Sequence, residues 1–212
     1  MVSEREPPMN RRQFLIASAA SASALGTFAL SQAASRPLPI IPLTDLTEGI
    51  DARVPLNLVS ATHDFGNGAA SQTLGINNSY LGPVIRAKQG QTLPFDVSNT
   101  IGDVSTIHWH GLHIPGDVDG GPHQEIADGG VWSPDVPIAQ HASMNWFHSH
   151  MHGKTAQQTY NGLAGILLIE DDASLSADLP QTYGVDDFTL VFQDKTFDAG
   201  GRMSYELTGE VF

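Results

Sequence analysis

The sequence contains no cysteine in its 212 residues. No disulfide can therefore stabilise the fold, and no thiolate of this chain can bind a metal ion. Basic residues are also scarce: 10 Lys and Arg stand against 23 Asp and Glu, which gives a net charge of −13 at pH 7. This acidic balance argues against nucleic acid and anionic membranes as partners.

The first 34 residues lack the strongly apolar run of about 20 residues that a membrane span requires. They contain instead the pair Arg11 and Arg12, followed by an alanine-rich, mildly apolar stretch that ends in small residues near Ala33. This order is typical of an export signal, and the paired arginines indicate the twin-arginine kind. We predict a twin-arginine signal peptide over residues 1–34 and a periplasmic or secreted protein without membrane contact once the signal is removed.

The remainder of the sequence has the pattern of short strands. Residues 35–53 are rich in proline and lack periodicity, which predicts an extended segment. One or two helical turns are expected at 154–161. Turn-forming residues separate the strand candidates, so the sequence predicts an all-β fold, either a sandwich or a small Greek-key barrel. The predicted strands are 56–63, 83–88, 92–98, 104–110, 142–149, 163–169 and 188–193.

Eight of the nine histidines fall within a short part of the chain, and four of them form two His-x-His pairs, in IHWHGLH and WFHSHMH. In an extended strand alternate side chains point to the same face, so the two histidines of each pair share a face. If the two strands are neighbours, four imidazoles meet, and imidazole suits Cu, Zn, Ni and Fe. The predicted metal ligands are His108, His110, His148 and His150.

Three kinds of histidine site can be compared with this pattern. A cupin site would need a glutamate a few residues after the first pair, but the first acidic residue there is Asp117. A catalytic zinc site uses three protein ligands, which two pairs would exceed. A single copper or zinc ion held by four histidines remains open as an alternative.

Two tryptophans next to the histidines are expected to differ in role. Trp109 must point away from the faces of its two neighbours, which predicts a core position between the sheets. Trp146 shares the face of His148, so it is predicted to wall the metal site. Gly162 and Gly165 are expected to permit close packing of the backbone.

In their wider context these motifs resemble the first cupredoxin domain of bacterial multicopper oxidases, a family of periplasmic cuprous oxidases and laccase-like enzymes. The resemblance is carried by IHWHGLHIPGDVDGGPHQEI, by NWFHSHMHGKTAQQTYNGLAGILLIEDD and, earlier in the chain, by GPVIRAKQGQTLPFDVSNT. It implies a cupredoxin-like, plastocyanin-like domain over residues 54–180. Residues 181–212 would then begin the connection to a following domain, and we expect the sequence to be cut short there.

The resemblance also implies a role for each predicted ligand. His108 matches the histidine that binds the type 2 copper of a trinuclear copper cluster. His110 and His148 match ligands of one type 3 copper, and His150 matches a ligand of the other. Asp119, in DVDGG, matches the acid that is implicated in proton delivery to the oxygen being reduced. Copper is thus the implied cofactor, and its centres would be shared with regions missing from this chain.

A complete oxidase of this kind also has a type 1 copper, held by a cysteine within a His-Cys-His segment, and four further cluster histidines. This chain has neither feature. We therefore expect the N-terminal part of an enzyme whose partners are O2, an unidentified reducing substrate and the missing C-terminal cupredoxin domains. The full reaction would couple one-electron substrate oxidation to four-electron reduction of O2 to water, and the chain alone would be inactive.

A noncatalytic periplasmic module, either copper-binding or purely structural, is the alternative. One relative in the family acts in cell division through its fold alone, after losing its copper ligands. Retention of all four paired histidines in this sequence argues against that route.

Overall fold

The structure is a computed structural model that describes residues 37–206, so the predicted signal peptide over residues 1–34 lies outside the described residues. The chain divides into two units, residues 1–39 and residues 40–212. Residues 37–39 of the first unit have neither helix nor strand. All the elements described below belong to the second unit.

Short strands make up most of the regular structure of residues 40–206. The strands are β1 (Leu43–Asp45), β2 (Val54–Asp64), β3 (Ala70–Ile76), β4 (Val84–Lys88), β5 (Thr92–Thr100), β6 (His108–His110), β7 (Val131–Trp132), β8 (Asp135–Pro137), β9 (Ser143–His148), β10 (Ala164–Glu170), β11 (Thr196–Phe197) and β12 (Met203–Ser204). The helices are α1 (Thr155–Asn161) and α2 (Asp172–Leu175).

Ten of these strands form two mixed sheets. The first sheet has the order β1-β4-β10-β9-β6, and the second has the order β3-β2-β5-β7, with β8 also paired to β5. The pairs β1 with β4, β4 with β10 and β2 with β5 are parallel, so the chain crosses repeatedly from one sheet to the other. This arrangement confirms the predicted all-β sandwich, in which β6 is an edge strand of its sheet.

The core lies between the two sheets because the strands alternate buried and partly exposed residues. In β5, the side chains of Leu93, Phe95 and Val97 are fully buried, whereas the residues between them are partly exposed. Ile85 of β4 and Leu167 of β10 contribute from the other sheet to the same hydrophobic cluster. Full burial of a side chain of this size contributes roughly 1.5–3 kcal/mol, so the sandwich is held mainly by these inward rows.

Most predicted strands are present, but the strand predicted at 188–193 is wrong. That segment contains no strand, and Phe192 within it is 88% exposed. Alternating apolar residues favour an extended chain, but a strand also needs a neighbour for its backbone hydrogen bonds, and no element of residues 40–206 pairs with this segment. In addition, β1 lies within residues 35–53, predicted to be merely extended, and pairs with β4.

Helix α1 confirms the helical turns predicted at 154–161. The helix ends at Gly162, whose φ is +124° and whose N–H bonds to the carbonyls of Gln158 and Thr159. A Cβ at position 162 would lie only 2.1 Å from the carbonyl oxygen of Leu74. Glycine is therefore required here, both for the backbone angle and for the close approach of α1 to β3.

Within residues 37–206 no helix is long and apolar enough to cross a membrane.

Candidate metal centre

The two His-x-His pairs meet because β6 and β9 are antiparallel neighbours. In their register His108 lies opposite His148, and His110 lies opposite Trp146. The alternation of a strand turns both histidines of β6 to one face, whereas Trp109 between them is fully buried and stacks on Phe95. The predicted core position of Trp109 is thus confirmed.

Three of the four predicted ligands converge closely. Ring nitrogens of His108, His110 and His148 all lie within 4.8 Å of one another. The Nδ1 atom of His110 is 3.2 Å from Nε2 of His148. Two nitrogens that share one metal ion, each about 2.0–2.1 Å from it, lie no more than about 4 Å apart, so this pair fits a common ion.

His150 lies beside this trio rather than within it. It follows the end of β9, and its ring centroid is 5.2 Å from that of His108 and 6.0 Å from that of His148. By centroid distance the four imidazoles are similarly close, but only His108, His110 and His148 have ring nitrogens that all lie within 4.8 Å of one another. A metal site with three protein ligands would leave one of the four imidazoles unused.

Backbone carbonyls hold two of the imidazoles in place. The Nδ1 of His108 is 3.0 Å from the carbonyl oxygen of Asp119, and the Nδ1 of His148 is 2.7 Å from the carbonyl oxygen of Ser149. A carbonyl can only accept, so each contact favours the tautomer with hydrogen on Nδ1. The lone pair of Nε2 is then left for a metal ion, which is the usual arrangement of metal-binding histidines.

The carboxylate of Asp119 also reaches the site. Its Oδ2 atom lies 3.3 Å from Nδ1 of His108, and its side chain is about one-third exposed, at 32%. The loop is held close by Gly120, because a Cβ there would lie 1.6 Å from the carbonyl oxygen of Ile107. The neighbouring Asp117, the first acidic residue after the first histidine pair, is exposed.

Burial, together with the neighbouring rings of His108, His110 and His150, lowers the pKa of His148 to about 4, although the bond to Ser149 acts in the opposite direction. His148 is only 5% exposed. An imidazole with this pKa is neutral at neutral pH, which is the state that binds a metal ion without first losing a proton.

Trp146 forms one wall of the site, as predicted. Its ring stacks on His148 with a centroid distance of 3.9 Å and an interplanar angle of 22°, and it lies 5.0 Å from His110. It is 36% exposed, so the wall borders solvent. The stacked indole restricts the rotation of the His148 ring. The hydrogen bond between Nδ1 of His148 and the carbonyl of Ser149 restricts the same rotation.

The remaining histidines of the cluster region do not join the site. His113, His123, His141 and His152 are all exposed. His141 instead lies 3.4 Å from the carboxylate of Asp171. The two His-x-His pairs were therefore the informative part of the histidine-rich segment.

A multicopper oxidase family model matches residues 58–174, which include both β6 and β9. The chain belongs to the multicopper oxidase family. Among curated relatives, cell division protein FtsP of Escherichia coli strain K12 is 37% identical over 203 residues, and FtsP of Salmonella typhimurium is 38% identical over 202 residues. The matches cover 95% and 94% of this chain but only 43% of each relative, so the chain spans less than half of their length.

Solved structures of multicopper oxidases have the same fold. The laccase-like multicopper oxidase CueO of Ochrobactrum sp. is 43% identical, with a TM-score of 0.74 over 80% of this chain and 38% of that chain. McoA of Aquifex aeolicus is 36% identical, with a TM-score of 0.74 over 82% of this chain and 39% of that chain. The predicted cupredoxin-like fold of this multicopper oxidase domain is thereby confirmed.

Proposed function

We propose that the chain is the N-terminal part of a multicopper oxidase and supplies half of the ligands of a trinuclear copper cluster. The observation that carries the proposal is the convergence of His108, His110 and His148, with the ring of His150 alongside. The complete protein would couple one-electron oxidation of a reducing substrate to the four-electron reduction of O2 to water.

The donor set fits copper. Imidazole nitrogens suit copper ions, and the neutral state of His148 favours their binding without loss of a proton. Copper, when bound, would supply the one-electron steps that O2 reduction requires. The protein's contribution is to hold the rings rigidly on two paired strands, with Asp119 and Ser149 fixing two of them.

The proposal assigns each ring to a centre. His108 would bind the type 2 copper, and His110 and His148 would share one type 3 copper, an assignment supported by the 3.2 Å between their facing nitrogens. His150 would bind the other type 3 copper, in keeping with its position beside the trio. The remaining ligands would come from further cupredoxin domains of a longer protein.

Asp119 is the proposed carrier of protons. Its Oδ2 atom lies 3.3 Å from the ring of His108 and retains contact with solvent, since the side chain is 32% exposed. A carboxylate in that position can take a proton from water at one side and hold it close to the metal centre at the other.

Four further features agree with a multidomain enzyme that works outside the cytoplasm. The histidines of β6 lie on an edge strand, so the site is open on the side where another domain would complete it. The chain also spans 43% of the length of its curated relatives. The sequence of residues 1–34 supports export by the twin-arginine route, and the acidic balance supports partners other than nucleic acid or anionic lipid.

A noncatalytic module is the second candidate. It is favoured by the curated relatives, which are named as cell division proteins and are 37–38% identical. In that case the fold itself would serve as a binding or structural unit in cell division. In a purely structural module the retained histidine geometry has no role, so copper binding separates that module from the oxidase. Oxygen consumption by the longer protein separates a copper-binding module from the oxidase.

The test is the copper content of the chain after loading and dialysis. The double variant H110A/H148A is expected to lose copper, and the matched variant H113A/H123A, which changes two exposed histidines outside the trio, is expected to retain it. Equal copper content in both variants would contradict the assignment. Absence of copper from both the wild-type chain and the longer wild-type protein would favour the purely structural module.

A second measurement addresses catalysis in the longer protein. The same H110A/H148A change is expected to abolish oxygen consumption while the blue colour of a type 1 copper is kept, because the two centres use different ligands. A His-Cys-His segment encoded downstream of Phe212 would support the enzyme. Continued oxygen consumption by the double variant would overturn the assignment of His110 and His148 as copper ligands.

A further inference from the structure

A buried network of hydrogen bonds connects the two histidine segments through one residue of α1. The hydroxyls of Ser105 and Ser149 both donate to Oε1 of Gln158, at 2.9 and 2.5 Å. The amide nitrogen of Gln158 donates in turn to the carbonyl oxygen of Val104, at 2.8 Å. One glutamine side chain therefore ties the segment before β6 to the residue that separates His148 from His150.

The network is closed and inaccessible to water. Ser105 and Ser149 are fully buried, and Gln158 is 4% exposed. Its amide oxygen uses two donors and its amide nitrogen one acceptor, all from the protein. In such a setting the loss of one partner leaves buried polar groups unsatisfied, so each member constrains the positions of the others.

This network reaches the candidate ligands in one further step. The carbonyl oxygen of Ser149 accepts from Nδ1 of His148 at 2.7 Å and thus sets the orientation of that ring. On the other segment, the hydroxyl of Thr106, the neighbour of Ser105, accepts from the backbone N–H of His150 at 2.8 Å. Ser149 therefore orients the His148 ring through its carbonyl and is itself held by Gln158 through its hydroxyl.

We propose that Gln158 is a positioning residue for the metal centre, which fixes the distance between the two His-x-His segments and the direction of the His148 ring. The inference rests on the proposed function, because the metal that the positioned histidines would bind is copper. Gln158 itself contacts no ring of the cluster and acts only through Ser149 and Ser105. Sequence reasoning found the helical turns around it but no role for this side chain.

The first test compares Q158M with Q157M in the full chain. Methionine has nearly the shape of glutamine but neither accepts from both hydroxyls nor donates to Val104, whereas Gln157 is an exposed neighbour on the same helix. Copper(II) affinity is expected to fall on the order of 10–100-fold in Q158M, as for other residues that orient metal ligands, and to stay unchanged in Q157M. The electron paramagnetic resonance spectrum of bound copper should change only in Q158M.

A second variant separates positioning from mere stability. The triple variant Q158M/S105A/S149A removes the two buried hydroxyls that lose their shortest hydrogen bond in Q158M, so its thermal midpoint is expected to recover. If Gln158 positions the ligands, copper affinity and the altered spectrum do not recover with it. This variant also carries the test if Q158M alone fails to fold.

The outcomes distinguish this inference from the proposed function. Absence of copper from both the wild-type chain and the longer wild-type protein would remove both. Wild-type affinity and spectrum in Q158M would overturn the positioning role alone. Joint recovery of stability, affinity and spectrum in the triple variant would also overturn it, because Gln158 would then serve only the packing of the core.

Discussion

Trp146 and His148 lie face to face, two residues apart on β9, with ring centroids 3.9 Å apart and an interplanar angle of 22°. The alternation of the strand places both on the same side, while Phe147 between them is buried in the core. A partly exposed indole therefore contacts the most deeply buried histidine of the metal centre, and its fluorescence should report on the occupancy of the site.

Copper(II) is expected to quench the fluorescence of Trp146. A paramagnetic ion bound to His148 would lie within a few ångströms of the indole, because the two rings are in direct contact. Fluorescence titration with copper, followed by addition of a chelator, measures the effect and its reversal. The variant W146F should lose most of the quenching, whereas W132F should keep it. Equal quenching in both variants would contradict the position of the site.

Gly120→Ala is expected to disturb both stability and metal binding. The new Cβ would lie 1.6 Å from the carbonyl oxygen of Ile107, so the loop must move and carry the Asp119 carbonyl away from His108. Gly129→Ala is a matched control, since its φ of +77° is close to the +74° of Gly120 but its Cβ meets no atom within 4 Å.

The control should lose roughly 1–2 kcal/mol for the left-handed backbone alone. Gly120→Ala should lose more than this in urea unfolding and should bind copper more weakly. Equal losses in the two variants would show that the contact between the loop and Ile107 does not hold His108 in place.

Gly165→Ala tests the predicted close packing at β10. A Cβ at position 165 would lie 2.2 Å from the ring of Phe147, which is fully buried on the neighbouring strand. Overpacking of this kind costs about 1–3 kcal/mol, measurable by urea unfolding. Gly116→Ala, where no atom lies within 4 Å of the new Cβ, should change stability much less. If Gly165→Ala leaves the free energy of unfolding unchanged, the ring of Phe147 can move aside without loss of stability.

The ion pair between Asp103 and Lys154 predicts a dependence of stability on pH. Hydrogen bonds from Lys154 at 2.6 Å lower the pKa of Asp103 below its usual 3.8. A carboxyl with a lowered folded-state pKa stabilises the fold above its unfolded-state pKa, and that contribution is lost as the pH falls through the folded-state value. Asp103→Asn should thus be less stable than the wild type by about 0.2–1 kcal/mol at pH 7, since the pair is partly exposed.

Below the lowered folded-state pKa of the Asp103 carboxyl, the two proteins should approach the same stability, because the wild-type side chain is then neutral as well. Thermal unfolding midpoints from pH 7 down into this acid range measure the difference. A difference that persists unchanged at the acid end would assign it to the packing of Asp103 rather than to its charge.

The sequence predicted which histidines share a face because the period of a strand is two, whereas the pairing of β6 with β9 had to come from the structure. That period alone turns His108 and His110 to one side and buries Trp109. The sequence could not show that a backbone carbonyl of Asp119, rather than its carboxylate, would lie nearest to His108, because a loop's path depends on tertiary contacts such as the one at Gly120.

Three other features were beyond the sequence for different reasons. Gln158 is a single polar residue on a short helix, and no pattern distinguishes it from its exposed neighbour Gln157. The segment 188–193 has the composition of a strand, but composition does not specify a partner, and the prediction of a strand there was wrong. β3 was missed because the small and polar residues of ASQTLGI give it a weak strand propensity.

The register of β6 with β9 determines when the proposed copper ligands come together. His108 faces His148 only after two segments that are distant in the chain have paired, and β9 is also joined to β10. Before that pairing, the imidazoles share no common location. If these histidines hold copper as proposed, the chain would therefore pair its strands first and take up copper afterwards, unlike small zinc domains, whose folding awaits their metal.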